Sequence, residues 1–427
     1  MEFYNQLREA TKGLHWTEKA GLFNLALMLS AIPIEPGVSL VFFCLWLLSV
    51  ILKNTLLKRW SFFAWHQDKT YATTKCGRLM LPMFLYWAFY FLSLLWTENL
   101  AVGWANVGAL TWLAVFTLVY NCTDFREVRK IHLRGIFWLY VMCLLLLFGV
   151  LGVKGLISTE HANIYSISQV FNDYMHHCYM AVYLLIGLAF LYTEVDGLKS
   201  GGKHTCKYIF VGLCTCILLL FLLLINARTG VLGLLLLLAL CWLHQAFVRK
   251  HRRLAIVTLV MAPLLLLVIY WSLPDGFQRI SATVEDANQG VEDIRITHIK
   301  QVVPIIKENI MFGVGAGDQK AALAPQWGYT IEEQDMVSNT HNQYLDTWLA
   351  TGLLGLAALL AMMIVPMCYA WRRKNFFMFC FICIFAVSIL FESMFERQMG
   401  VVFYCVMLLL FAIEAEIEFL NSPSLHL

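Results

Sequence analysis

Ionisable side chains are costly in an apolar chain, so places where they gather raise a functional hypothesis. Here they gather at Asp173, His176 and His177, at Arg228, at Arg295 and His298, at His341, and at Glu392, Glu396 and Arg397, with His161 and Asn172 nearby in sequence. An imidazole can take a proton from a hydroxyl near neutral pH. A guanidinium fork matches the oxygens of a phosphate. Together these residue types can deprotonate an alcohol beside a bound phosphate ester.

His341 is the most informative of them. It stands in SNTHNQYLDTWLATGLLGL, eleven residues before Gly352 and fourteen before Gly355. At 3.6 residues per turn these are close to three and four turns, so all three fall on one helical face. Glycines there let a neighbouring helix approach closely, with Asn339 or Thr340 as the cap. A capping or interfacial histidine is the plainer alternative. Arg228, in NARTGVLGLLLL, starts a helix, where a cation opposes the dipole; an anionic ligand offsets that, and so does snorkelling into headgroups. Arg295 and His298 lie in IRITHIKQVVPIIKEN, where contacts to headgroups or carboxylates account for them equally well. The turn FGVGAGD (312–318) can aim backbone N–H groups at a phosphate or simply return the chain to an apolar layer. Glu392 pairs with Arg397 or with a site arginine.

The elements that must position these groups are membrane helices. The chain has 427 residues, 60% hydrophobic and 14% charged, well below the quarter charged of soluble domains. A span needs about 20 apolar residues. Twelve spans are expected: 20–34, 37–53, 79–97, 101–120, 135–153, 175–193, 207–226, 229–247, 254–273, 342–370, 375–391 and 399–419. With both termini inside, 23 of the 31 Lys and Arg residues fall on inner segments and 8 on outer ones, the bias expected of a cytoplasmic side. Residues 274–341 then form one long outer loop, and every group named above lies at the outer level. Within that loop Ile294, Ile299, Val302, Val303, Ile306 and Ile310 make a near-helical stripe interrupted at Pro304, expected to lie on the outer membrane surface. The first twenty residues are mildly amphipathic and suit an interfacial segment. The fold class is thus all-α membrane protein, one polytopic domain over 1–427.

Over 220–410 the sequence resembles the O-antigen ligase and O-antigen polymerase family of membrane glycosyltransferases. The resemblance rests on His341-Asn342, nine residues, Gly352, two residues and Gly355, similar to that family's H-[NSQ]-x9-G-x-x-[GTY] signature, and on NARTG, RITHIKQVVPIIKENIMFGVGAGD and FESMFERQMGVVFY. Where members usually carry Trp or Tyr shortly after the loop arginine, this chain has His298. The resemblance implies a metal-independent transferase without cofactor. His341 would be, or would orient, the base; Arg228 and Arg295 would bind the pyrophosphate of an undecaprenyl-pyrophosphate-linked glycan donor. Asn342, His298, His177, Glu392 and Arg397 would support them. The acceptor would be a lipid A–core sugar or another glycan, the setting the bacterial inner membrane with its site facing the periplasm, and the process lipopolysaccharide biosynthesis.

Rival readings are a polysaccharide polymerase of the same superfamily, a protein O-oligosaccharyltransferase, which the short tail disfavours, and a twelve-span transporter or flippase, for which similar halves are expected. A net charge of +3 gives no case for nucleic acid. The thirteen cysteines fall mostly in apolar runs, so neither a disulfide framework nor a metal site is expected, the CxxC of Cys380 and Cys383 included.

Overall fold

The computed structural model describes residues 2–60, 77–157, 164–196, 205–225, 227–250, 294–330 and 339–420. Its described elements are helices: α1 (Glu2–Lys12), α2 (Trp16–Ala31), α3 (Pro36–Leu56), α4 (Gly77–Ser93), α5 (Leu100–Cys122), α6 (Lys130–Ile157), α7 (Ile164–Tyr174), α8 (His177–Asp196), α9 (Thr205–Leu224), α10 (Arg228–Leu243), α11 (Ile294–Glu308), α12 (Gln319–Leu323), α13 (Gln343–Arg373), α14 (Phe376–Ser388) and α15 (Gln398–Leu420). Eight of these are long and apolar enough to cross a membrane: α3, α5, α6, α8, α9, α10 with its π-turn extension to Val248, α13 and α15. The spans expected at 20–34, 79–97 and 375–391 correspond to shorter helices of 16, 17 and 13 residues. The span expected at 254–273 lies outside the described residues, as do the loop segments 274–293 and 331–338 and His161.

Helix α3 shows why a bilayer is the partner. Ser39, Phe43, Trp46 and Val50 are buried, while Val38, Val41, Leu45 and Leu48 on the other side are exposed. A helix apolar on all sides suits lipid on its outer face. Two helices take the centre: 83% of the apolar window of α8 is buried, and 94% of that of α15. The rest surround them around one apolar core. At the predicted inner level the basic residues are tied down: Lys53 pairs with Glu127 at 2.5 Å, Arg59 with Glu18 at 2.7 Å, and Arg134 with Glu194.

The loop helix α11 runs unbroken through Pro304, and its stripe is partly covered by protein. Val302 and Ile306 form a small second core with Leu323, Ala324 and Leu349, while Ile299 and Ile310 are exposed. One side of the helix thus packs on α12 and α13, and Ile299 and Ile310 remain on its outer side.

Gly352 explains the return of the loop to α13. Its φ of +69° and ψ of −161° interrupt α13, a conformation essentially confined to glycine. A Cβ there would sit 2.1 Å from the Met311 carbonyl oxygen. The break frees carbonyls, and the glycine-rich turn takes them: Val314 N–H donates to Leu349 O at 2.7 Å, and Gly315 N–H to Ala350 O at 3.0 Å. Leu353 N–H donates back to Ile310 O at 2.9 Å. The sequence-based expectation of a helix–helix seam shared by His341, Gly352 and Gly355 is therefore corrected. His341 precedes the helix, Gly352 breaks it, and what approaches closely is loop backbone. The side-chain space at Gly355 is filled from within α13 itself, a Cβ falling 1.8 Å from Thr351 Oγ1. The turn's N–H groups at Val314 and Gly315 are likewise spent on these carbonyls, not held out to a phosphate.

Candidate active site

The chain enters α13 through a tight elbow. Asn342, not Asn339 or Thr340, is the cap: its side-chain oxygen accepts from Tyr344 N–H at 3.0 Å and Leu345 N–H at 3.2 Å. To place that cap, His341 adopts φ +50°, uncommon for a residue with a side chain. Its N–H donates to Asn339 Oδ1 at 3.1 Å. The backbone strain turns the imidazole away from the helix, toward the connection between α14 and α15.

There it meets Glu392, which is 5% exposed. His341 Nδ1 lies 3.3 Å from Glu392 Oε2, and His176 Nε2 lies 3.8 Å from the same oxygen. Burial raises the Glu392 carboxyl, but the His341 hydrogen bond and the positive charges of His176, His341 and Arg397 outweigh it, so it titrates below the ordinary glutamate value. The expected Glu392–Arg397 ion pair is thus replaced by two histidines, with Arg397 acting at longer range. His177 stacks on His176 at 4.3 Å. His298, buried, stacks on Trp327 at 4.1 Å, and its ring is 6.1 Å from that of His341, nearly parallel.

A residue absent from the sequence-based candidates locks this arrangement. Asp346, 3% exposed, accepts from the Thr340 hydroxyl at 2.6 Å and from the Ser393 hydroxyl. Thr340 directly precedes His341 and Ser393 directly follows Glu392, so one carboxylate clamps the neighbours of both. Gln343 adds two stitches: its N–H donates to Ile389 O at 2.9 Å, and its Oε1 accepts from Phe395 N–H at 2.7 Å. An acid inside an apolar span was the signal that points to Asp346.

The two arginines lie on separate helices. Arg228 opens α10 and is exposed. Its neighbour Thr229 donates a hydroxyl hydrogen bond to Cys178 Sγ at 3.3 Å, which fixes the start of α10 beside the start of α8, next to His176 and His177. Arg295 falls in the first turn of α11, one turn before His298; its side chain lies outside the described residues. His176, His177 and Cys178 hold three donor atoms within 4.8 Å of one another. Stacked rings direct their lone pairs side by side, and Cys178 already accepts the Thr229 hydroxyl, so the trio fits polar packing better than convergent ligation.

Beyond the elbow, Asn339 Nδ2 donates to Glu396 Oε2 at 2.7 Å. Burial and the nearby Asp346 push the Glu396 carboxyl up to about 7.

The family model described as O-antigen ligase matches residues 213–360. That stretch holds Arg228, α11, the glycine-rich turn, His341, Asp346 and the Gly352 break, and it ends before Glu392. No curated protein matches the chain. Residues 213–360 are thus similar to the O-antigen ligase family, and the described residues are helical, with eight helices long and apolar enough to cross a membrane.

Proposed function

We propose that the protein transfers a glycan from undecaprenyl pyrophosphate to an acceptor hydroxyl, a lipid A–core sugar, at the periplasmic face of the inner membrane. The observation that carries this reading is the His341–Glu392 pair at 3.3 Å, next to a family region that contains His341 and both candidate arginines. In the tautomer with Nδ1–H directed at Glu392, Nε2 of His341 carries the lone pair and acts as the base. The acceptor oxygen attacks the anomeric carbon, its proton passes to Nε2, and the bond from that carbon to the pyrophosphate oxygen breaks. Arg228 and Arg295 stabilise the charge that develops on the departing pyrophosphate. Glu392 holds the ring in the productive tautomer and offsets the imidazolium that forms.

Two measurements test it. Purified protein in lipid nanodiscs should join a polyprenyl-pyrophosphate-linked glycan to lipid A–core and release undecaprenyl pyrophosphate. A deletion strain should lose long chains from lipid A–core and accumulate lipid-linked polymer. Transport of the lipid-linked glycan without a new glycosidic bond would defeat the reading, and a single-repeat product would assign a polymerase instead.

A further inference from the structure

A cavity of about 260 Å³ lies beside the His341 elbow, lined there by Asn339, Gln343 and Asp346. Tyr86 and Tyr90 from α4, and Phe395, give it an aromatic wall, all buried. Asn106 from α5, Gln319 and Lys320 from α12, Asn339, Gln343 and Glu396 give it a polar one. It is smaller than the roughly 300–1,000 Å³ of sites for drug-sized ligands, so it suits one ring-sized unit.

Its polar groups are oriented in advance. Asn106 Nδ2 donates to Ala316 O at 2.7 Å, and Gln319 Nε2 to Asp346 O at 3.1 Å, which turns each amide oxygen into a fixed acceptor. Gly317 lines the cavity where the loop backbone crosses close to α5; a Cβ there would lie 2.1 Å from Asn99 O. Fixed amides, a carboxyl, an ammonium and aromatic rings are the groups that bind a sugar's hydroxyls and its apolar C–H face. A pyrophosphate is a poor fit: one lysine faces two carboxyl groups, Glu396 and Asp346.

The cavity is also wired to the base. Asn339 accepts from His341 N–H through Oδ1 and donates to Glu396 through Nδ2. Asp346 lines the cavity and clamps the residue before His341. Occupancy of the cavity therefore bears directly on the segment that sets the imidazole.

We propose that this cavity is the acceptor subsite and seats one sugar ring of the acceptor glycan. The inference rests on the transferase reading above, which supplies the acceptor.

The test uses full-length protein in nanodiscs, free of sugar-headed detergent. Saturation-transfer NMR is run with the methyl glycosides of glucose, galactose, N-acetylglucosamine and a heptose as probes. Wild type should saturate at least one of them; Ala109→Trp, which fills the cavity, should abolish the signal, and Gln319→Ala with Lys320→Ala should weaken it. In transfer assays the Gln319/Lys320 variant should raise the acceptor KM about tenfold and leave the donor KM unchanged. No saturated glycoside, saturation that survives Ala109→Trp, or a shift confined to the donor KM overturns the subsite. If glycosides bind in the cavity while wild type forms no glycosidic bond, the sugar site stands and the transferase reading falls.

Discussion

His341 and Glu392 face one another at 3.3 Å, Nδ1 to Oε2, from segments 51 residues apart in sequence. Asp346 holds the neighbours of both, Thr340 and Ser393, through buried hydroxyl hydrogen bonds. The pair gives the imidazole a carboxylate partner at Nδ1, which suits the base role proposed for Nε2.

Glu392→Gln should lower kcat by about 10²-fold, the scale of a disoriented general base, with donor KM little changed. The stability effect has a definite sign. Because the folded carboxyl titrates below its ordinary value, the ionised group stabilises the fold fully above the ordinary glutamate range, near pH 4.3, and that contribution is lost as pH falls through the lower folded value. The melting-temperature gap between wild type and Glu392→Gln should therefore be present near neutrality and close on acidification. A gap that widens toward low pH contradicts the pairing.

His341→Ala and His341→Asn should both abolish transfer. Asparagine tolerates φ of +50° better than alanine does, so it separates the imidazole's chemistry from the elbow's conformation. Normal insertion and melting of His341→Asn with no turnover is the expected result; wild-type turnover in either variant removes His341 as the base.

Arg228→Lys keeps the charge and loses the fork. Transfer should fall at least tenfold, chiefly through donor KM. Unchanged donor affinity and rate would return Arg228 to headgroup snorkelling.

Gly352→Ala should destabilise the protein by more than the roughly 1–3 kcal/mol of its backbone conformation, since the added Cβ also strikes the Met311 carbonyl. Thermal melting in nanodiscs reads this, with proteolysis across 309–318 appearing well below the wild-type midpoint.

Asp318→Ala should loosen the same loop more mildly, by about 1–2 kcal/mol. Its two carboxylate oxygens accept from Glu98 N–H at 2.8 Å and Asn99 N–H at 2.9 Å, tying the turn to the start of α5. A melting curve identical to wild type would contradict that tether.

Hydropathy and charge placed eleven of the helices near where they stand, since lipid-facing helices advertise themselves by length and composition. They also brought His341, His298, His176, His177 and Glu392 to one level. They did not reveal which partner each group chooses. Arg397 is the obvious mate for Glu392 by charge, yet two histidines arriving from distant segments take its place, and residue spacing does not encode that. Gly352 misled for a related reason: a helical period presumes an unbroken helix, and a glycine in an apolar run looks alike whether it permits packing or ends the helix. Asp346 was visible as an acid within a span. Its role as a clamp needed Ser393, brought back by the last turn of chain, to be seen.

The break in α13 has one more implication. The carbonyls of Leu349 and Ala350 accept from the glycine-rich turn, through Val314 N–H and Gly315 N–H. Excised from the membrane, the loop would be left with an open backbone edge; transplanted onto an unkinked helix, it would find no mate. Loop and helix are one inheritable unit, and swapping substrate-facing segments between related proteins should succeed only when both halves travel together.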